Sequence, residues 1–478
     1  MKYMNKSIEE IHELLKEGKV TERELIDESL ELSKKVEEEN NAFVTILDNI
    51  EEKEVTDNLL SGIPYAMKDN ISTKGIRTTA CSNTLKDYVP IYNATVYEKL
   101  SQSGAIMIGK TNMDELAMGG TGLTGNAGIV KNPYDEERIS AGSSAGSAVA
   151  VALKTVPFAI GTDTGDSIRK PAAYTGVVGY KPSYGLISRY GLFAFASSLD
   201  TIGVLTNNVK DAAIVVNTVK GSDDKDMTTI KDMDEIDLTK DFNNLKSKKL
   251  FYIKEIVDKS KYTNSNTIKI IDDFNKLLEL LKTKGYEIYE ESIDEALLKA
   301  LKPVYTSISC AEATSNDSNL TGISFGHREK GENAMDVIKN FRTKNFSSLI
   351  KRRFVIGSFI LQKENQEKYF INAKKVRRIV VNTFNELFNK YDGLILPAQS
   401  DIAPKINETT DEMGKDEIVL DNHLVIGNFG GYPSITIPYN KLKGMPIGIN
   451  ITSGFKKDSY MLAIANDIEK IIKEDIHD

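Results

Sequence analysis

The stretch Arg138–Arg169, RISAGSSAGSAVAVALKTVPFAIGTDTGDSIR, sets two serine-bearing, glycine-rich turns on either side of one short apolar helix and strand. Helix and strand in alternation, joined by small-residue turns, are the mark of an α/β fold. The serines add a chemical reading. A serine hydroxyl is a poor nucleophile at neutral pH, so a chain that uses one needs a base, a set of oxyanion-stabilising backbone N–H groups and a rigid platform. Gly161, Gly165 and the small residues around Ser143 and Ser167 let the backbone come close to a bound carbonyl. The base has to come from elsewhere in the chain.

Outward from this stretch, the texture from Ser61 onward is one of short apolar strands alternating with glycine turns and helices: IPYAM, AIMIG, VPFAI and, much later, GLILP, SITIP and PIGINITSG. This pattern predicts a mixed, mostly parallel central sheet covered by helices on both faces. Residues 1–60 read as a helical arm, because Ser7 with Glu10 and Thr21 with Glu24 have capping-box spacing and each pair opens an amphipathic run. Residues 61–478 then form the catalytic unit, with a mostly helical insertion at about 206–390. Within the insertion, Gly221–Lys248 is charged and reads as a solvated connection. KKLFYIKEI reads as a strand, Thr267–Leu281 as a helix and Phe354–Phe388 as a long helical exit. Met461, Ile464, Ala465, Ile468 and Ile471 mark a closing amphipathic helix.

Composition narrows the function. The chain has 478 residues, 40% of them hydrophobic and 27% charged, enough for a large core in a soluble globular protein. A net charge of -8 disfavours a chain that grips nucleic acid through its own surface. No run reaches the roughly 20 apolar residues that span a bilayer, and the N-terminus lacks a signal-peptide apolar region, so a cytoplasmic place and no membrane contact are expected. Cys81 and Cys310 are far apart in sequence and build neither a disulfide framework nor a structural zinc site. His12, His327, His423 and His477 are scattered, which leaves little for a metal hydrolase or a Ser-His-Asp triad.

A candidate base lies upstream, in GIPYAMKDNI, where Lys68 ends an apolar strand. Burial disfavours the ammonium form and lowers a lysine pKa from about 10.4, which turns the amine into a usable base. Ser143 and Ser144 follow Ala141-Gly142 and open the helix Ala145–Leu153, while Ser167 follows Gly165-Asp166. A helix N-terminus offers unpaired N–H groups and a dipole that favours negative charge.

This combination resembles the amidase-signature family, whose Gly-Gly-Ser-Ser-Gly-Gly-Ser and Gly-Ser/Thr-Asp-Thr/x-Gly-Gly-Ser-Ile-Arg motifs carry a Lys, cis-Ser, Ser triad. Lys68, Ser143 and Ser167 keep that order and approximate spacing. The resemblance implies that Ser167 attacks an amide carbon while Ser143, preceded by a cis peptide bond, relays its proton to neutral Lys68. Thr164, Gly165, Asp166 and Ser167 would present N–H groups to the oxyanion. Ala141 and Ala145 replace family glycines, a mild change, but Asp166 replaces the glycine just before the nucleophile. A carboxylate facing the substrate there would oppose developing negative charge. It is tolerable if it turns toward Arg169 or Lys170, and it otherwise raises the reading of a catalytically dead scaffold protein.

The likeness extends over nearly the whole chain. GKTNMDELAMGGTG, AEATSN, FGHR, IKRRFVIGSFIL, KKVRRIV, GNFGGYPSITIP and GMPIGINI resemble the family of glutaminase subunits of glutamyl-tRNA(Gln) amidotransferases. In that family the glutaminase component hydrolyses glutamine. The partner B component binds Glu-tRNA(Gln), activates it with ATP and Mg, and takes up the ammonia; the small C component fastens the other two together. No cofactor is implied for this chain itself. The resemblance also implies glutamine binding by Tyr305, Arg353 and Asp421, with Arg353 forking to the α-carboxylate and Asp421 meeting the α-ammonium. Arg352 is the alternative to Arg353, and a helix-cap role is the alternative for Asp421. Asp114 and Glu115 read as helix caps rather than paired catalytic carboxylates. The competing function is a stand-alone amidase acting on small aliphatic carboxamides.

Overall fold

Eleven strands form one sheet in the computed structural model, which describes residues 1–231, 233, 235–243, 245, 248–409 and 419–477. In chain order the first six are β1 (Phe43–Ile46), β2 (Pro64–Lys68), β3 (Ile106–Thr111), β4 (Phe158–Asp163), β5 (Val178–Lys181) and β6 (Thr201–Thr206). The remainder are β7 (Lys249–Ile253), β8 (Glu287–Glu291), β9 (Gly393–Pro397), β10 (Ser434–Leu442) and β11 (Met445–Thr452). Across the sheet they lie in the order β1-β3-β2-β4-β6-β5-β10-β11-β9-β7-β8.

The sheet is mixed, as expected, but its parallel pairs are confined to two blocks, β3-β2-β4 and β9-β7-β8. Every other ladder among the described residues is antiparallel, six of the ten, which corrects the expectation that parallel pairing predominates. The reason is partly local. Only Lys443 and Gly444, with φ of 52° and 81°, separate β10 from β11, and a two-residue link in that conformation makes a hairpin.

Both faces are covered, and the alternation along single strands shows how. Tyr65 and Met67 of β2 and Phe158 and Ile160 of β4 join the large core, while Ala66 and Ala159 join a second cluster built from helices Glu22–Asn40, Ala145–Ala152 and Arg169–Thr175. Successive strand side chains point to opposite faces, so the sheet is packed on both. In the second cluster the small helix Ala145–Ala152 lies close to the strands. A Cβ on Gly146 would meet the backbone of Asn112 at 2.6 Å.

The first 60 residues contain both capping boxes, Ser7/Glu10 and Thr21/Glu24, on helices Ile8–Lys16 and Glu22–Asn40. They are not wholly helical, because β1 adds an antiparallel edge to β3. The stretch at 206–390 likewise holds more than helices: β7, expected from KKLFYIKEI, and the unexpected β8 extend the same sheet. The helical exit is broken. Helices Ser348–Leu361 and Asn372–Phe388 are separated at Gln362, whose ψ of 142° is extended, by a short helix and a π-helical turn. The connection Gly221–Lys248 is anchored at one end, where the Asp223 carboxylate accepts from Thr95 Oγ1 at 2.5 Å and Ser188 Oγ at 2.6 Å. Residues 232, 234, 244, 246 and 247 of that connection lie outside the described residues. Among the described residues no helix is long and apolar enough to cross a membrane.

Candidate active site

Lys68 is the last residue of β2 and is completely buried. Its Nζ lies 2.7 Å from Ser143 Oγ, 2.9 Å from Ser144 Oγ and 2.7 Å from Thr162 Oγ1. Burial pulls its pKa down to about 7, although the charges of Asp114, Asp163 and Asp200 work in the opposite direction. Near neutral pH a substantial fraction of the amine is therefore uncharged and able to accept a proton.

The two adjacent serines are not equivalent. Ser144 Oγ donates to Thr162 O at 3.0 Å and accepts from Thr162 N at 3.2 Å, so its proton is committed to β4. Ser143 Oγ has no hydrogen bond except that with Lys68 among the described residues. The Gly142–Ser143 peptide is cis, as the resemblance implies, and Ala141 before it is left-handed at φ 58°. Gly142 is required by contact: a Cβ there would collide with the Asp114 carboxylate. That carboxylate accepts from the N–H groups of Thr121, Gly122 and Thr124 and from Thr124 Oγ1 at 2.7 Å. Asp114 thus braces the loop beside Ser143 and makes no helix-cap bond, which corrects the capping expectation. Glu115 ties Ser82 Oγ, at 2.7 Å, to Ser347 N, at 3.1 Å.

Ser167 lies in the turn from β4 to helix Arg169–Thr175 and is 4% exposed. A buried clamp fixes this turn. Arg169 meets the Asp163 carboxylate through Nη2 at 2.9 Å and Nε at 3.1 Å, and Asp163 Oδ2 also accepts from Ile168 N at 3.0 Å. Arg169 further donates to Gly165 O at 2.8 Å, Asn428 Oδ1 at 2.7 Å and Leu424 O at 2.6 Å. Ser144 N donates to Ser167 O at 3.1 Å, so the two serine turns abut. The N–H groups of Thr164, Gly165, Asp166 and Ser167 donate to no described protein acceptor. Consecutive unspent donors of this kind can bind an oxyanion.

Ser167 opens onto a cavity of about 550 Å³ whose lining includes Gly165, Asp166, Lys170, Tyr305, Arg353 and Asp421. The family comparison agrees with this architecture, since residues 24–462 match the family model described as Amidase. The chain belongs to the amidase family. It is similar to the A subunit of the glutamyl-tRNA(Gln) amidotransferase of Sulfurisphaera tokodaii, 39% identical over 457 residues that cover 94% of each chain. The corresponding A subunit of Thermoanaerobacter pseudethanolicus is 38% identical over 490 residues, covering 99% of this chain and 98% of its own. The crystal structure of the A subunit from Thermotoga maritima matches with a TM-score of 0.81 at 34% identity, covering 98% of this chain and 95% of that one.

The amidase cavity brings together most of the expected residues. Of the two candidate arginines, Arg353 lines it and Arg352 does not. Arg353 stacks over the Phe195 ring at 5.5 Å, and its buried Nε has no protein acceptor among the described residues. Tyr305 packs its ring on Gly165, where a Cβ would meet it at 3.0 Å. Asp421 is already engaged: Lys170 Nζ donates to it at 2.9 Å and Ser400 Oγ at 2.6 Å. Burial opposes its charge, yet Lys170 and Ser400 outweigh burial and hold its pKa below the usual carboxylate range. Asp421 is inside the helix Val419–Asn422, so capping is not its role in this amidase.

Several residues of the site carried no recognised role in the sequence, or, for Arg169 and Lys170, only that of a partner for Asp166. Thr162, Asp163 and Arg169 stood in the serine motif itself, where a buried acid six residues before an arginine was the available signal. Thr164 donates through Oγ1 to Asp200 at 2.7 Å, and Asp200 also accepts from Phe195 N and Ala196 N. The bonds of Lys170 and Ser400 to Asp421 and of Thr164 to Asp200 had no local signal, because they join residues 251, 21 and 36 positions apart. The contingency raised for Asp166 is not met: among the described residues it forms no ion pair, since Arg169 is held by Asp163 and Lys170 by Asp421.

Proposed function

We propose that this amidase is the glutamine-hydrolysing component of a glutamyl-tRNA(Gln) amidotransferase, working through Lys68, Ser143 and Ser167. The observation that carries the proposal is the buried Lys68 amine at 2.7 Å from Ser143 Oγ, a hydroxyl whose proton has no other acceptor among the described residues. As Ser167 Oγ bonds to the carboxamide carbon, its proton passes to Ser143 Oγ and the Ser143 proton to the Lys68 amine. The carbonyl electron pair moves onto oxygen, where the N–H groups of Thr164, Gly165, Asp166 and Ser167 receive it. Removing one such donor typically costs about 100-fold to 1000-fold in rate. Collapse breaks the C–N bond while the proton returns from Lys68 through Ser143 to the leaving nitrogen. Ammonia departs, and water, activated by the same relay, releases glutamate from Ser167.

Arg353 supplies a planar fork for the α-carboxylate, and Tyr305 walls the cavity over Gly165. The B and C subunits complete the assembly in this reading, which sets the protein in the cytoplasm. The B component holds the Glu-tRNA(Gln), consumes ATP with Mg and accepts the ammonia. The names of the relatives support a multi-subunit assembly, and the acidic net charge supports leaving the tRNA to the partner.

A second reading, a stand-alone amidase of small carboxamides, is favoured by one observation: Lys170 occupies the carboxylate of Asp421 expected to meet a substrate ammonium. Rates of ammonia release from glutamine and from simple aliphatic amides separate the two. The glutaminase reading requires turnover of glutamine that disappears in Ser167→Ala, with an acyl adduct on Ser167 detectable by mass spectrometry when a reactive glutamine analogue is supplied. Equal activity of both proteins ends it.

A further inference from the structure

Three carboxylates line the substrate cavity, Asp166, Asp401 and Asp421, and they are in different states; Asp401 is satisfied by neutral donors, Asn264 Nδ2 at 2.6 Å, Asn266 Nδ2 at 2.8 Å and Ile402 N at 2.7 Å. Both oxygens of Asp421 are used: Oδ1 accepts from Lys170 Nζ at 2.9 Å and from Ser400 N at 3.4 Å, and Oδ2 accepts from Ser400 Oγ at 2.6 Å. Lys170 cancels its charge. Asp166 is partly buried, immediately precedes Ser167, and forms no ion pair among the described residues. The arginine nearest in sequence, Arg169, is spent on Asp163, Gly165 O, Leu424 O and Asn428.

A desolvated carboxylate without a partner is unfavourable unless a cation reaches it. Burial pushes the Asp166 carboxyl up to about 6, with Lys170 and Lys302 pulling the other way, so the group is ionised at neutral pH yet under-compensated. The space it lines is the space a substrate fills. In glutamine, an α-amino acid with a side-chain carboxamide, three carbons separate the carboxamide carbon from the ammonium nitrogen. Asp166 and Ser167 line the same cavity, so one ligand can present its carboxamide to Ser167 and its ammonium to Asp166.

We propose that Asp166, rather than Asp421, receives the ammonium group of the substrate and thereby selects an α-amino acid bearing a side-chain carboxamide. The departure that seemed to oppose the oxyanion then acts as a specificity determinant. Its backbone N–H serves the developing negative charge, and its side chain serves the positive end of the same molecule. Lys170, one helical turn later, keeps Asp421 from competing. The assignment rests on the glutamine reading given above.

The test compares the full-length chain and its Asp166→Asn variant on glutamine and on glutaramate, which has the same carboxamide and carboxylate but no amine. The expected result is a KM for glutamine raised about 10-fold to 100-fold, the scale of a lost charge-assisted contact, with the KM for glutaramate unchanged or lowered. Asp166→Gly combined with Lys170→Gln, which frees Asp421, is expected to recover most of the lost affinity for glutamine. Glutamine and glutaramate responding alike to Asp166→Asn, or neither responding, overturns the assignment. Should Asp166→Asn lose both activities, the Asp166→Gly chain decides by the same comparison, and loss of both there also overturns it. Wild-type chain that turns over glutaramate but not glutamine refutes the glutaminase reading itself; wild-type turnover of glutamine with a preference untouched in the variant refutes only the role of Asp166.

Discussion

Lys68 Nζ and Ser143 Oγ lie 2.7 Å apart, and both residues are fully buried. The contact is useful only when the amine is neutral. Burial brings the Lys68 pKa to about 7, so the proton-accepting form is dominant above that value and is lost as pH falls through it. The expected kcat for glutamine therefore declines tenfold per pH unit well below pH 7, and Lys68→Arg, charged at every accessible pH, abolishes it. Steady-state kinetics across pH 5 to 9 would test this. A kcat independent of pH down to 5 would show that Lys68 is not the base.

Ser143 and Ser144 both touch Lys68, yet their protons have different fates. Ser143→Ala is expected to lower kcat by about 100-fold to 10,000-fold, the usual worth of a positioned proton carrier. Ser144→Ala removes bonds that tie the turn to β4, and its main effect is on stability, about 1 to 3 kcal/mol for unsatisfied buried partners. Paired kinetics and urea unfolding of the two variants distinguish these roles, and similar kcat losses would refute the distinction.

The Asp163–Arg169 pair is wholly buried and two-pronged. Arg169→Ala leaves the Asp163 charge uncompensated and is expected to cost about 3 to 5 kcal/mol in unfolding free energy. The Ser167 turn loses its brace as well, so labelling of Ser167 by a reactive glutamine analogue should slow even at temperatures where the variant stays folded. Unchanged labelling would mean that the turn holds its shape without the clamp.

Arg353 has an unspent Nε and lines the cavity. Arg353→Lys keeps the charge but removes the fork, and the expected outcome is a KM for glutamine raised about 10-fold to 100-fold. Hydrolysis of butyramide, which has no carboxylate, should respond far less. Parallel losses on both substrates would assign Arg353 to packing against Phe195 instead.

The parts legible in the sequence were those written locally. Lys68, Ser143 and Ser167 sit in short contiguous motifs whose small residues announce close backbone approach, and the structure brings the first two into contact and places the third on the adjoining turn. The capping boxes were likewise readable, since donor and acceptor are three residues apart. Strand direction was not, because apolar runs of five residues look the same in either sense. β8, with the sequence EIYEE, lacks an apolar run altogether and is half exposed at the sheet edge. Asp421 was marked for a substrate, but its partner Lys170 is 251 residues away, beyond the reach of any local pattern.

Arg169 reaches from the Ser167 turn to Leu424, Asn428 and Ser434, more than 250 residues later in the chain. A polypeptide still emerging from the ribosome has Ser167 long before it has these anchors. Until Leu424, Asn428 and Ser434 have been added, the Arg169 guanidinium has only Asp163 and Gly165 O to hold, so the seat of Ser167 is the last part of the site to be completed.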